Sequence, residues 1–250
     1  INQQMIGPKI LWVRENEPEI FKKTDKILGS WDYIIYKLTG NYSVDHNWAL
    51  EGGLYDIHQE KWSGKLLEIV GINSNYLPDI HKPTEIVGRV THTVAKELGL
   101  EPGTPVVAGT TDSIASTFMA GIQNEGDLLL KFGGAGDILF SVDKLVTDKR
   151  LFIDYHVIDG KYIINGCMAS SGSVLKWFVH QSFEENNINY KKLDLMVEKI
   201  RAGSEGLVVL PYFIGEKTPI FDVLARGVIF GLTLHHTKYH IYHALLEAIG

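Results

Sequence analysis

The sequence has a single cysteine, Cys167, among its 250 residues. A disulfide framework within the chain is therefore excluded, and cysteine usage of this kind fits a reducing compartment, so we expect a cytoplasmic protein. No stretch approaches the about 18 to 20 apolar residues that a transmembrane helix needs. The first five residues show no basic segment followed by an apolar run, so we expect no secretory signal.

The sequence also has fewer basic than acidic residues, 24 against 30. The formal net charge is −6 at neutral pH, and the sequence pI is near 5.9. Nucleic acid and anionic membrane surfaces attract proteins with a basic excess, so we expect neither as a partner. The chain is 45% hydrophobic and 22% charged, as ordinary globular domains are, and its length allows one large domain or two of ordinary size.

The first hundred residues predict helices joined by short turns. Apolar residues at helical spacing, with start and stop residues around them, mark each helix. One begins at a capping-box-like pair, Asn16 and Glu19, and carries the apolar residues from Ile20 to Leu28. The other expected elements are helices at 30–40, 63–71 and 93–98, and strands at 85–90 and 104–108.

The second half has a different pattern, in which strands come in pairs. Two hairpins are predicted, and two helices and a strand follow them. Strands that alternate with helices in both halves predict an α/β chain. We expect the domain boundary between Gly121 and Gly126. The predicted hairpins pair 127–132 with 137–142 and 151–157 with 161–164; the helices are 173–183 and 193–200, and the strand is 207–210.

Asp112 follows the apolar run at 104–108 and the loop Gly109-Thr110-Thr111, and a predicted helix begins beside it. Aspartate is among the best N-cap residues, so a cap is one interpretation. A carboxylate at this point also faces the crevice where open α/β sheets bind ligands, so a catalytic role is the other. Position alone favours the cap.

A glycine-rich turn, Gly133-Gly134-Ala135-Gly136, joins the first two of these strands. Its backbone N–H groups could point at an anion without obstruction by Cβ atoms. It is not a Walker A loop, because no Lys-Ser or Lys-Thr follows, and a strand rather than a helix comes after it. A plain hairpin turn and a phosphate-binding loop both remain open.

Four histidines near the end of the chain suggest a metal site at first sight. His236 and His240 would need helical spacing, yet Thr237 is the natural N-cap of the following helix, which leaves His236 outside it. We therefore assign no metal ligands. The other two of the four are His235 and His243.

Five segments in the same order resemble the FGGY carbohydrate kinases, most closely the xylulokinase-like members, and together they span nearly the whole chain. They are Gly7–Trp12, Asp32-Tyr33 with Leu38-Thr39-Gly40, Pro105–Asp112, Leu210–Gly227 and Gly231–Glu247.

The resemblance implies an actin-like ATPase (ribonuclease H-like) fold, with parts of two domains flanking a cleft. Residues 1–121 would be the C-terminal portion of the N-terminal, sugar-binding domain. Residues 122–250 would be the N-terminal portion of the C-terminal, nucleotide-binding domain. The implied reaction is ATP-dependent, Mg²⁺-dependent phosphorylation of a sugar hydroxyl, with a small-molecule sugar and ATP as ligands. A homodimer stays open.

On this resemblance Asp112 orients the acceptor hydroxyl and accepts its proton, and Ser113 lies beside the sugar. The loop Gly133, Gly134, Ala135 and Gly136 receives the phosphates of ATP. Gly172 belongs to the segment 166–173, which the resemblance implies near the ribose and base.

Two residues depart from the family pattern. Ala135 stands where the glycine loop usually has a hydroxyl residue, and Ser113 stands where xylulokinases often have asparagine. No D-x-G-T segment opens the chain, and no late G-G-G-A segment closes it. We therefore expect a central portion of a longer kinase, with little activity by itself. A kinase for glycerol or another polyol, and a catalytically silent sugar- or nucleotide-binding regulator, are the alternatives.

Overall fold

The computed structural model of the protein describes residues 5–183 and 189–250. The chain divides into two compact units. The first consists of Ile1–Gln123 and Asp154–Tyr162, and the second of Asn124–Ile153 and Ile163–Gly250. The polypeptide thus leaves the first unit after Gln123 and returns to it for nine residues.

The first unit is built of helices and short two-stranded sheets. The helices are α1 (Ile6–Asn16), α2 (Pro18–Phe21), α3 (Ser30–Thr39), α4 (His46–Glu51), α5 (Gly64–Val70), α6 (His92–Leu98) and α7 (Asp112–Met119), and the strands are β1 (Val44–Asp45), β2 (Tyr55–Asp56), β3 (Lys61–Trp62), β4 (Ile80–His81), β5 (Ile86–Arg89) and β6 (Pro105–Val107). Strands β1 and β4 are parallel. Strand β2 is antiparallel to β3, and β5 is antiparallel to β6.

Three of the predicted helices are confirmed, and they end for the predicted reason. Gly40, Gly71 and Gly99 follow α3, α5 and α6 with φ values of 80°, 74° and 70°. Glycine adopts this left-handed conformation without the steric penalty of a Cβ atom, so it terminates helices.

The predicted helix from Asn16 to Leu28 is wrong. Asn16 is the last residue of α1, and its side chain donates a hydrogen bond to the carbonyl of Trp12 at 2.9 Å. Pro18 then begins the four-residue helix α2. Proline has no N–H with which to continue α1, but it suits the first position of a new helix. Pro18 was the signal that the capping-box interpretation overlooked.

The second unit contains a four-stranded sheet, a two-stranded sheet and the remaining helices. The strands are β7 (Leu128–Phe132), β8 (Gly136–Val142), β9 (Phe152–Tyr155), β10 (Tyr162–Met168), β11 (Val208–Leu210) and β12 (Val228–Phe230), and the helices are α8 (Gly172–Ser182), α9 (Tyr190–Val197) and α10 (Lys238–Ile249). The strand order of the larger sheet is β7-β8-β10-β9, and β11 pairs with β12 in the smaller one.

Both predicted hairpins are confirmed. Strands β7 and β8 are antiparallel, and Phe132 pairs with Gly136, so the turn between them is Gly133–Ala135. The second hairpin joins β9 to β10 through Asp159 and Gly160, and Gly160 has a φ of 77°. The tip of that hairpin, Asp154–Tyr162, is the segment that returns to the first unit.

Each unit has its own apolar core. In the first, Ile10, Val44, Trp48 and Leu54 are among the residues that pack together. In the second, helices α8, α9 and α10 pack around Tyr242 and Leu245, both almost fully buried. No helix in the described part of the chain is long and apolar enough to cross a membrane.

Candidate functional site

Asp112 is the first residue of α7, and the N-cap position belongs to Thr111. The cap interpretation of Asp112 is therefore wrong, although the helix begins where it was expected. Strand β6 ends at Val107, and Gly109 turns the chain with a φ of 71°. The carboxylate is thus carried by a short strand–loop–helix connection.

The Asp112 side chain is exposed, and among the described residues it has no hydrogen-bond or ion-pair partner. An acidic group in the first turn of a helix is favoured by the unpaired N–H groups there. The carboxylate of Asp112 is therefore available to bind an external ligand.

The residue after Asp112 is more tightly held. The Ser113 hydroxyl lies 3.1 Å from that of Thr111, and its carbonyl accepts hydrogen bonds from the hydroxyls of Ser116 and Thr117 at 2.8 and 2.7 Å. Thr117 and Ile114 are buried. These bonds fix the first turn of α7, so the position of Asp112 is set by its neighbours.

Asn47 holds the loop that precedes Asp112, and sequence reasoning did not find it. Its amide nitrogen donates to the hydroxyl of Thr110 and to the carbonyl of Tyr155, both at 2.9 Å. Its amide oxygen accepts from the N–H of Tyr155 at 2.7 Å. Asn47 is fully buried, and its two bonds to Tyr155 are formed away from water, whereas its bond to Thr110 is partly buried. The loop and the hairpin tip therefore share one anchor.

The first unit also contains two fully buried carboxylates, and the hydroxyl of Thr110 faces one of them, Asp45. Asp32 accepts from the N–H of Gly29 at 3.0 Å, and Asp45 accepts from the N–H of Trp48 at 2.8 Å. Burial raises the pKa of Asp32 to about 7, and the charge of Asp45 adds to this. Burial also raises the pKa of Asp45 to about 6, although the N–H of Trp48 opposes it. Both groups cap helices, which is a structural role for the Asp32-Tyr33 segment.

In the second unit the glycine loop is fastened through its carbonyl groups. The carbonyl of Gly133 accepts from the N–H of Gly172 at 2.9 Å, and that of Gly134 accepts from the N–H of Ser171 at 2.8 Å. The Ser173 hydroxyl also donates to the carbonyl of Gly134 at 2.8 Å. The first N–H groups of α8 therefore donate their hydrogen bonds to the loop.

The loop's N–H groups behave differently. Within the described residues, those of Gly134 and Ala135 have no acceptor. Gly134 is exposed, and a Cβ atom built on it would meet nothing within 4 Å. Carbonyls that are tied inward and N–H groups that are unpaired and open make a surface suited to an anion.

Gly172 must be glycine for a packing reason. A Cβ atom on it would lie 2.6 Å from the carbonyl oxygen of Gly133. Gly172 therefore supports the loop directly, and its expected contact with a nucleotide stays a prediction.

The end of β10, which leads into this region, is anchored by the segment at 216–218. The carboxylate of Glu216 accepts from the N–H of Ala169 at 2.7 Å, and the hydroxyl of Thr218 accepts from the N–H of Cys167 at 2.6 Å. Glu216 is buried. The segment that resembles a family motif thus acts on the backbone just before Ser171.

The histidines at 235–243 form no metal site in the described part of the chain, where no group of three or more His, Cys, Asp or Glu side chains could hold a metal ion. His240 lies within α10, and its ring accepts from the N–H of Thr237 at 3.1 Å. Thr237 is the N-cap, as predicted, and His236 lies outside the helix.

Comparison with known families agrees with this architecture. Residues 2–119 match the model of the FGGY family of carbohydrate kinases, N-terminal domain, and residues 147–250 match that of its C-terminal domain. These matches, taken together, span most of the chain. The chain belongs to the FGGY family of carbohydrate kinases.

Individual relatives point the same way. The chain is 31% identical to a gluconokinase from Bacillus subtilis (strain 168), over 96% of this chain and 49% of that protein. It is 32% identical to a xylulose kinase from Lactococcus lactis subsp. lactis (strain IL1403), over 97% of this chain and 48% of that protein.

Among solved structures, the xylulose kinase from Rhodospirillum rubrum superposes with a TM-score of 0.89 at 42% identity, covering 99% of this chain and 50% of that one. The expected fold class, an α/β chain with the actin-like ATPase fold of these kinases, is confirmed. The chain spans about half the length of the curated relatives it matches.

Proposed function

We propose that this chain is part of an enzyme that transfers a phosphoryl group from ATP to a hydroxyl of a sugar, with a pentulose such as xylulose as the acceptor. The observation that carries the proposal is the exposed, unpartnered carboxylate of Asp112 at the start of α7. The loop that precedes it is held by a hydrogen bond from the buried side chain of Asn47 to the hydroxyl of Thr110.

In this proposal Asp112 accepts a hydrogen bond from the acceptor hydroxyl, orients it and takes up its proton. The carboxylate of an aspartate is a weak base. That is sufficient, because phosphoryl transfer passes through a loose transition state in which positioning and electrostatics do most of the work. Ser113 lies beside the sugar, with its hydroxyl held against Thr111.

The N–H groups of Gly134 and Ala135 would hold phosphate oxygens of ATP, with Gly133 and Gly136 completing the loop and Gly172 supporting it. ATP supplies the phosphoryl group that is transferred. Ala135 offers no hydroxyl donor, so the backbone alone would stabilise negative charge in this loop.

We include Mg²⁺ as a cofactor on chemical grounds. Magnesium in phosphoryl-transfer enzymes is typically held by one or two carboxylates together with phosphate oxygens, and it neutralises charge that develops there. A site of that kind needs no dedicated cage of protein ligands, so we assign no residue of this chain to the metal.

Two alternatives differ in acceptor or in class. A kinase for glycerol or another polyol would use the same carboxylate. Ala135 favours a catalytically silent sugar- or nucleotide-binding regulator, because it lacks a hydroxyl donor for phosphate. The exposed carboxylate of Asp112 favours the kinase instead. Ser113 stands where xylulokinases often have asparagine, so the identity of the acceptor as xylulose is the part of the proposal that needs a direct test.

We also propose that residues 1–121 and 122–250 belong to the sugar-binding and nucleotide-binding domains of a longer cytoplasmic kinase, which could form a homodimer. The matches at 2–119 and 147–250 support this. By itself the chain should have little activity, because relatives are about twice as long.

The test is release of ADP from Mg-ATP by the protein at its natural length, measured with xylulose, other ketoses, gluconate, glycerol and other polyols. We expect stimulation by one class of acceptor, with xylulose the strongest. Binding of ATP and a sugar without stimulation by any of them would support the regulator and contradict the kinase proposal.

A further inference from the structure

A cavity of about 140 Å³ lies within the first unit, apart from the residues assigned to the kinase reaction. Its walls come from His46 at the start of α4, Lys82 after β4, Glu60, and the hairpin tip that carries Tyr155, Asp159 and Tyr162. One water molecule needs only about 10 to 15 Å³ of space measured in this way, so the cavity accommodates a small molecule rather than one water.

One wall is aromatic. The ring centroids of Tyr155 and Tyr162 are 5.5 Å apart, and those of His46 and Tyr155 are 4.7 Å apart. The hydroxyl of Tyr155 lies 3.2 Å from that of Tyr55 and is thereby engaged. Aromatic faces of this kind give apolar contact area while their polar ends keep hydrogen-bonding capacity.

Three polar groups in the walls are unused. The imidazole of His46, the hydroxyl of Tyr162 and the carboxylate of Glu60 have no hydrogen-bond partner among the described residues. Burial lowers the pKa of His46, so its ring is neutral at neutral pH and offers one donor and one acceptor. The wall thus presents both kinds of hydrogen-bonding group next to aromatic rings.

The charges around the cavity balance. Lys82 donates to both carboxylate oxygens of Asp159, at 2.7 and 2.8 Å, so this exposed pair neutralises itself. Lys161 and Glu60 supply one further charge of each sign. A phosphate or a carboxylate would meet as much negative as positive charge here, so the walls do not select an anion.

The cavity is also preformed, because the first strand of its hairpin tip is pinned at Tyr155 and His156. Asn47 exchanges hydrogen bonds with the N–H and carbonyl of Tyr155. The ring of His156 donates to the carbonyl of Ile122 at 2.8 Å, and its other nitrogen accepts from the N–H of Ile158 at 2.8 Å. A ligand therefore has little ordering cost to meet.

We propose that this cavity is a binding site for a small neutral polyhydroxylated molecule, such as a polyol or an open-chain sugar, that is separate from the site of Asp112. Hydroxyl groups, which both donate and accept, match His46, Tyr162 and Glu60, and the C–H faces of such a molecule match the aromatic wall. This site does not depend on whether the chain belongs to a working kinase.

The experiment follows the histidine ring resonances of the protein at its natural length, labelled with ¹³C-histidine, during titration with xylitol. His46→Gln identifies the His46 signal, and the exposed His92 in α6 serves as an internal reference. We expect a saturable shift of the His46 signal, with a Kd of about 1 mM or tighter, while the His92 signal stays in place. The Asp112→Asn variant should show the same shift.

Two further variants keep the result interpretable. Glu60→Gln and Tyr162→Phe change wall groups without removing apolar volume, and each should weaken xylitol binding about tenfold. Inorganic phosphate and gluconate should leave the His46 signal in place. The proposal is overturned if xylitol does not shift that signal, if phosphate shifts it instead, or if Asp112→Asn abolishes the shift.

Discussion

The side-chain amide of Asn47 donates to the hydroxyl of Thr110 at 2.9 Å, two residues before the carboxylate of Asp112. The same amide also donates to the carbonyl of Tyr155 and accepts from its N–H. A fully buried side chain with three hydrogen bonds does not move without losing them. Asn47 is therefore a positioning residue for the loop that carries Asp112.

Replacing Asn47 by alanine should lower turnover about 10- to 100-fold in the protein at its natural length, because small displacements of a catalytic group cost that much. The KM for the sugar should change little. Steady-state kinetics with ADP release as the readout measures both. Thr110→Val removes the acceptor and leaves the hairpin bonds, and it also removes the hydroxyl that faces the buried carboxylate of Asp45, so its loss of turnover should be at least as large.

Asn41→Ala is the matched control for this experiment. Asn41 is exposed and donates to the carbonyl of Val87 at 2.9 Å, so it resembles Asn47 in chemistry but not in burial. The turnover of the Asn41→Ala variant should stay near that of the parent protein. Normal turnover in both Asn47→Ala and Thr110→Val would contradict the claim that Asn47 positions the loop before Asp112.

The buried carboxylate of Asp32 makes the stability of the first unit depend on pH. Its pKa rises from an ordinary value of 3.8 to about 7 in the folded chain. Between these two values the folded state holds a proton that the unfolded state has released, so stability falls as pH rises toward 7. The slope from one such group is at most about 1.4 kcal/mol per pH unit.

Urea unfolding at several pH values between about 4 and 8 tests this prediction for the parent and for Asp32→Asn. His46 and His156 have lowered pKa values, and they act in the opposite direction. The informative quantity is therefore the difference between the two proteins. We expect Asp32→Asn to gain stability relative to the parent as pH rises, and a constant difference would contradict the assignment.

Gly172→Ala should displace the glycine loop, since its Cβ atom would lie 2.6 Å from the carbonyl oxygen of Gly133. Overpacking of this kind costs about 1–3 kcal/mol of stability. We also expect weaker binding of ADP, measured by calorimetry. Gly134→Ala is the control for stability, because nothing lies within 4 Å of its added atom, and it should unfold like the parent.

Local features of the fold were predictable from sequence, and the contacts that position the site were not. The turn at Gly133–Ala135 and the start of α7 depend on residues adjacent in the chain, so pattern and glycine content revealed them. Asn47 and Tyr155 are 108 positions apart, and nothing in the local sequence marks Asn47 as buried or Tyr155 as its partner.

The same reason explains the features of Gly172 and Asp32. Gly172 meets Gly133 across a gap of 39 residues, so its packing requirement was invisible, although the family resemblance selected the residue. Asp32 belongs to a segment that resembles a family motif, yet its burial and raised pKa depend on how Asp45 and Gly29 are placed around it.

The central claim is that Asp112 accepts the proton of the acceptor hydroxyl, and turnover by Asp112→Asn tests it most directly. In the protein at its natural length, we expect sugar-stimulated ADP release to fall by at least about 100-fold while the Kd for the sugar stays within a few-fold of the parent's. Asp25→Asn, an exposed aspartate of the same unit, should turn over normally. Near-normal turnover by Asp112→Asn would contradict the account.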